Sequence, residues 1–444
     1  MQGISMTEGA PWKHIAKFAL PVLLGSLLQQ LYNTVDTIIV GNFASEESLS
    51  AVGTTGTITF FFLAVAIGLS AGNGVLIAQC YGAGDEAGVR KNASVGILFL
   101  GILGLAVSIL GALLARPIFR DLIAVPEEIL DLTIRYFVIY SAGLIFQYGY
   151  NIFSSILRAV GDSSATLYFL LISSVANVLL DLLFVAVFHW DVTGAAVATV
   201  ISQLGSLIAA YIYMTRKYAF FRFKLSDYKW DGGAVVNTIK VGMPISLQMF
   251  VVSIGLTFIQ RAVNEFGTTM TASFTVGNRI EQYINLPCNA LQTTLATYTG
   301  QNIGAKRLDR VKKGVRQGSL ISLLSTLFIS TLIWISADNI AGLFGLSSEA
   351  LVYCVPHIRT VALINIILSL YVPLFGLYQG MGHSGFPAVV ATCALFVRVL
   401  VVYLFRYSDF FGTSIIWWNG MFGFGVGCSV AWIYYFSGKW KEKK

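Results

Sequence analysis

The feature that leaves this chain the fewest options is a succession of about a dozen apolar stretches, most of them roughly 20 residues or longer, joined by short polar loops. A segment that long and apolar must satisfy its own backbone polar groups once it leaves water, and the α-helix does so within a single segment. Composition agrees: 56% of the 444 residues are hydrophobic, 11% are charged and the mean hydropathy is +0.73. Soluble domains carry about 25% charged residues, so lipid is the expected solvent and no large soluble domain has room.

Apolar periodicity and the Gly/Pro breaks predict twelve helical spans. Their approximate limits are 15–41, 52–79, 93–115, 129–158, 164–188, 194–215, 238–264, 272–300, 316–337, 350–379, 386–406 and 414–437. The first block is too long, and too polar at its centre, for a cleaved signal peptide, so it is expected to be helix one. Cys80, Cys288, Cys354, Cys393 and Cys428 are scattered without CxxC spacing, and His14, His189, His357 and His383 form no ligand cluster. Small core thiols are expected, with no metal or redox centre and no cofactor.

The net charge of +7 is explained by loops. With the N-terminus inside, roughly 21 Lys/Arg fall on cytoplasmic segments and roughly 4 outside, which places both termini in the cytoplasm of a multi-pass cell-membrane protein. The basic runs (Arg90 and Lys91, Arg216 to Lys240, Lys306 to Arg316, Lys439 to Lys444) read as topology signals and contacts with anionic lipid, not as a nucleic-acid surface. Phe220, Phe221, Phe223 and Trp230 interrupt the charges after Arg216, which suggests an interfacial linker. The expected division is therefore an N-lobe 1–215, a cytoplasmic linker 216–237 and a C-lobe 238–444.

Three anchors relate the halves. Phe-Ala-Leu-Pro21 aligns with Val-Gly-Met-Pro244, Gln79-x-x-Gly82-Ala83 with Gln301-x-x-Gly304-Ala305, and Gly161-Asp-Ser163 with Gly382-His-Ser384. All three offsets lie close to 222 residues, which identifies a duplicated six-helix unit. Six spans return the chain to its starting side, so the two copies share one orientation and are related by an axis along the membrane normal. A substrate cavity is expected between them.

An acid deep in a span needs a compensating reason to be there, because a charge in hydrocarbon is costly. Asp36 in span one and Asp181 in span five are two such residues. Gln29, Asn33 and Asp36 fall at i, i+4 and i+7 on one helical face, and Asn177 and Asp181 stand one turn apart. Two carboxylates in a low-dielectric pocket repel when both are ionised, so a proton, or transiently Na⁺, is needed to neutralise the pair. By repeat alignment the second half has about Ile259 and Val402 at these positions, and Arg398 where the first half has Asn177. Glu281 in span eight is a further candidate that neighbouring Arg279 could neutralise. Tyr32 and other aromatics could grip an apolar or cationic ligand. Gly68, Gly72 and Gly74 allow close helix approach, and Pro244, Pro287 and Pro373 suggest kinks.

No GxxxxGK[ST] motif is present, so an ion gradient is the expected energy source. Neither an HExxH nor a nucleophile elbow suggests an enzyme.

At this point the chain resembles, over essentially its whole length, the multidrug and toxic compound extrusion (MATE) family. The residues that carry the resemblance are Pro21 followed by Asp36 and Gly41, Gln79-x-x-Gly82-Ala83-Gly84, Leu157-Arg158-Ala159-x-Gly161-Asp162, Asn177-x-x-x-Asp181 and Gly194-Ala-Ala-x-Ala-Thr199-x-x-Ser-Gln203. The acid of span one joined to Asn-x-x-x-Asp of span five is similar to the DinF-like prokaryotic branch. The resemblance implies an all-α fold of twelve spans in two parallel-repeat, six-helix lobes with a V shape. It also implies a monomer that exports amphipathic or cationic small molecules against H⁺ or Na⁺ by alternating access.

By position, the resemblance assigns cation coupling to Asp36, Asn177, Asp181 and Thr199, with Asn151 of span four as a fifth member. Gln29, Tyr32, Asn33, Glu281 and Arg398 are left as candidates for the substrate cavity. A flippase for lipid-linked precursors, from the related superfamily, is the alternative, and the arginines Arg261, Arg279, Arg359 and Arg398 are what point to it.

Overall fold

The computed structural model describes residues 4–441 and is built from α-helices, with short π and 3₁₀ segments. Helices α1 (Pro11–Phe43), α2 (Glu46–Gly82), α3 (Glu86–Pro117), α4 (Glu127–Ala159), α5 (Ser163–Asp181) and α6 (Asp191–Lys217) are followed by α7 (Gly232–Asn264), α8 (Thr268–Gly304) and α9 (Leu308–Ile335). A short α10 (Ala337–Gly342) precedes α11 (Ser348–Gly380), α12 (Gly385–Phe405) and α13 (Ile415–Phe436). Apart from α10, these are the twelve expected spans, spans ten to twelve corresponding to α11, α12 and α13.

Ten of the helices are long and apolar enough to cross a membrane on composition alone. Most extend a few residues beyond the apolar blocks because their ends are polar and capped. Ser45, Asp85, Asp162 and Ser347 each accept a backbone N–H from the first turn of the helix they precede. Pro11 opens α1, where its missing N–H costs no helical hydrogen bond. Pro21, Pro244, Pro287 and Pro373 all lie inside continuous helices.

By packing, the chain divides into two compact units. One holds Leu24–Ser246 with the residues up to Met6; the other holds Thr7–Leu23 and the chain from Leu247. Both α1 and α7 thus contribute to both units. In the first unit α4 packs against α2, α3 and α6, α2 against α3, and α5 against α6. In the second unit α11 takes the part of α4, packing against α8, α9 and α13, while α8 packs on α9 and α12 on α13.

The duplication extends to backbone detail. Gly161 and Gly382, equivalent in the repeat, have φ +90° and +84°. Gly84 and its counterpart Lys306 are both left-handed, at +74° and +58°.

With lipid tails as apolar as the side chains, helices associate mainly through close packing, and small residues permit it. A Cβ on Gly72 would lie 2.4 Å from the Gly242 nitrogen, and one on Gly74 would lie 2.2 Å from Ser155 Oγ. The linker aromatics pack inward: Phe220 and Phe221 are buried with Tyr218 in the core of the first unit, while Trp230 is exposed.

Candidate functional site

Four helices of the first unit bring polar side chains to one place. α1 supplies Tyr32 and Asp36, α4 Tyr136 and Tyr140, α5 Asn177 and Asp181, and α6 Thr199 and Gln203. Asp181 is fully buried, Asn177 is 1% exposed and Asp36 is half-buried. Helical spacing does the local work: Tyr32 and Asp36, Tyr136 and Tyr140, and Asn177 and Asp181 are all i, i+4 pairs on one face of their helices.

The Asp36 and Asp181 carboxyls lie within hydrogen-bonding reach of each other. Asn177, with its amide oriented to satisfy both neighbours, donates to Asp181 Oδ2 at 2.7 Å and accepts the Thr199 backbone N–H at 3.1 Å. Thr199 Oγ1 donates to the Ala195 carbonyl at 3.0 Å, and the Tyr32 hydroxyl lies in reach of Thr199. Behind the acids, Tyr136 and Tyr140 stack at 6.1 Å, and Tyr140 reaches Gln203. Immediately after Asp181 the helix widens into a π segment, Leu182–Val187, a geometry that recurs at functional sites.

Two carboxyls held this close cannot both carry charge without a bridging proton or cation. The cluster also keeps unused acceptors, since Oδ1 of Asp36 and Oδ1 of Asp181 are buried without a hydrogen-bond partner among the described residues. An unmet buried acceptor costs about 1–3 kcal/mol. Both features suit a site that takes up and gives back a small cation.

Beside the cluster lies a small cavity. Gln29, Tyr32, Gln147, Asn177, Thr199 and Gln203 help to line it, with Leu170 the aliphatic residue among its lining side chains.

The sequence candidates separate into three groups. Asp36, Asn177, Asp181, Thr199 and Tyr32 come together, and Gln29 lines the adjoining cavity. Asn151 instead donates to the Gln147 carbonyl of its own helix at 2.8 Å and does not line the cavity. Asn33 is exposed and does not line the cavity, and its carbonyl accepts from Thr37 at 2.8 Å.

Glu281 and Arg398 line a separate cavity in the second unit. The expected neutralisation of Glu281 by Arg279 is absent from the ion pairs within 4.0 Å among the described residues. Residues two apart on a helix point to different faces, and Arg279 is exposed. Tyr136 and Tyr140 were not singled out from the sequence, although their i, i+4 spacing is a signal.

Residues 21–183 and 244–404 match the sequence profile of the MatE family, once in each half of the chain. The chain is 27% identical to a Bacillus subtilis protein named probable multidrug resistance protein YpnP, covering 100% of this chain and 99% of that one. It is 25% identical to the probable multidrug resistance protein NorM of Thermotoga maritima, over 97% of this chain and 93% of the relative. A solved outward-facing structure of a multidrug resistance MATE family transporter of the MOP superfamily shares the fold, with a TM-score of 0.93. It is 24% identical and covers 100% of this chain and 99% of that one.

Proposed function

The chain belongs to the MATE family of secondary active transporters, and from that premise we propose that it exports amphipathic, cationic small molecules in exchange for H⁺ or Na⁺. The observation that carries this reading is the contact between Asp36 and Asp181. Two carboxyls this close need a proton or Na⁺ between them, which supports a site that carries one such cation during the transport cycle. Asn177 fixes the orientation of Asp181, and Thr199 and Tyr32 connect the pair to the polar cavity.

Losing the bridging cation leaves two like charges in a poorly solvated pocket, and uptake restores the pair. This provides a difference between two states that an ion gradient can bias. The multidrug names of the relatives support the substrate class, and the Asn177-x-x-x-Asp181 pattern supports placement in the DinF-like branch. The excess of Lys and Arg on alternate loops supports cytoplasmic termini. The test is ethidium efflux from proteoliposomes under separately imposed H⁺ and Na⁺ gradients. If neither gradient drives efflux, this reading fails and lipid headgroup translocation becomes the assay to run.

A further inference from the structure

The small cavity of the first unit is displaced to one side of the acid pair. Its lining residues Gln29 and Ser173 come about two turns before Asp36 on α1 and Asp181 on α5. Gln147 and Ser206 come about two turns after Tyr140 on α4 and Thr199 on α6. Because α1 and α5 run opposite to α4 and α6, all four displacements point the same way, toward the helix ends joined by the α4–α5 turn. At 1.5 Å per residue, two turns carry the cavity roughly 10 Å from the acids. In the orientation proposed above, that is the cytoplasmic direction.

The cavity has room for several water molecules, and hydroxyl groups stand at its far end. Ser206 is 5% exposed, and its Oγ has no hydrogen-bond partner among the described residues. The Tyr150 hydroxyl donates to the Thr166 carbonyl at 3.4 Å. A hydroxyl both donates and accepts, so such groups joined by water can hand on a proton, and their oxygens can face a passing Na⁺.

Two turns beyond Tyr150, in the last turn of α4, comes Arg158, close enough to the Tyr150 hydroxyl for the two to interact electrostatically. Arg158 is half-buried and forms no ion pair within 4.0 Å among the described residues. The acid nearest to it in sequence is already taken: Asp162 Oδ2 accepts from Tyr213 at 2.9 Å, Lys217 at 2.8 Å and Tyr218 at 2.8 Å. A guanidinium keeps its charge at any working pH. A fixed positive charge at the end of a polar path repels cations, as in pores that exclude protons.

We infer that this cavity is the route by which the coupling cation leaves the acid pair, with Ser206 and Tyr150 as relay groups and Arg158 as the barrier against uncoupled flow. The inference rests on the reading that Asp36 and Asp181 carry the cation. Exchange requires that the ion not cross alone, and a path that ends on a permanent charge meets that requirement. A charge in the last turn of α4 also suits the helix dipole, but that role leaves ion permeability unchanged.

The test is ion leak into proteoliposomes without substrate, followed with pyranine for H⁺ and with radiolabelled Na⁺, beside gradient-driven ethidium efflux by the same vesicles. Valinomycin and K⁺ hold the membrane potential. Arg158→Gln is expected to raise the leak of the coupling ion about tenfold or more, because it removes a unit charge beside the path. Arg158→Lys keeps the charge and should stay as tight as the parent. Adding Asp36→Asn or Ser206→Val to Arg158→Gln should return the leak toward the parent level, since the ion then loses its site or its relay.

Arg158→Gln vesicles as tight as the parent's would overturn the inference and leave the coupling reading standing, as would a leak undiminished by Asp36→Asn. Failure of both gradients to drive efflux by the parent would overturn the coupling reading and this inference with it. Should Arg158→Gln not fold, Ser206→Val alone decides: slower efflux with the same ion dependence is expected, and an unchanged rate overturns the inference.

Discussion

In the proposed mechanism Asp36 and Asp181 act as one group although they come from the first and fifth helices, and that dictates how substitutions there behave. Asp36→Asn and Asp181→Asn replace a carboxyl that can share a proton with an amide that cannot. Each should reduce gradient-driven efflux at least about tenfold while leaving insertion into the membrane intact, as read by transport and quantitative blotting of the same vesicles. Asn177→Ala removes the 2.7 Å hydrogen bond to Asp181. Hydrogen bonds to charged groups contribute about 1.5–3 kcal/mol, so a shift of roughly tenfold to a hundredfold in ion affinity is expected from the ion dependence of efflux, toward tighter binding where the ion is H⁺, because the lost bond favours the charged carboxylate.

The pairing of Asn177 with Asp181 was legible because helical spacing alone puts them one turn apart. The meeting of Asp36 with Asp181 was less so, since it depends on how distant helices pack: two deep acids suggested a pair, but no spacing in the sequence could bring helices one and five together. The orientation of Asn151 was not legible either: nothing in its local sequence says whether its amide faces the cluster or its own helix.

At the scale of helices, turns and close approaches decide stability. Asp162 caps α5 and accepts at Oδ2 from Tyr213 at 2.9 Å, Lys217 at 2.8 Å and Tyr218 at 2.8 Å, tying the α4–α5 turn to the end of α6. Burial pushes this carboxyl upward, but the hydrogen bonds from Lys217, Tyr218 and Tyr213 outweigh it and hold the acid below its ordinary 3.8. A depressed acid contributes stability that is complete above its unfolded value and is lost as pH falls through the lower folded one. Thermal unfolding of the parent in detergent should therefore move to lower temperature from about pH 5 to pH 3, and more steeply than that of Asp162→Asn.

Lys306 holds φ +58° where its repeat partner is Gly84, so Lys306→Gly should raise the unfolding temperature, relieving about 1 kcal/mol. Conversely, Gly72→Ala drives a methyl into the Gly242 backbone, and overpacking of that kind costs about 1–3 kcal/mol in the same melts. The long apolar blocks made the helices legible, with ends up to eight residues from the expected limits. The inward packing of Phe220 and Phe221 was not, because an aromatic residue beside charges suits a membrane surface as well as a bundle end.

For the molecule as a whole, the duplication was the most legible property: offsets near 222 residues reappear as matching packing partners and matching left-handed turns in the two units. What each unit does with its copy was less so, because the difference lies in a few side chains. The charge bias of the loops predicts that a cysteine placed at Lys224 in a cysteine-free background reacts with an impermeant thiol reagent only from the cytoplasmic side. The central claim, that a cation at the Asp36–Asp181 pair drives export, is tested most directly by reconstituting the parent and Asp36→Asn in proteoliposomes and following ethidium under an H⁺ gradient and, separately, a Na⁺ gradient. The account predicts efflux by the parent under one of the two gradients and its loss in the variant; undiminished efflux by Asp36→Asn under the gradient that drives the parent would contradict it.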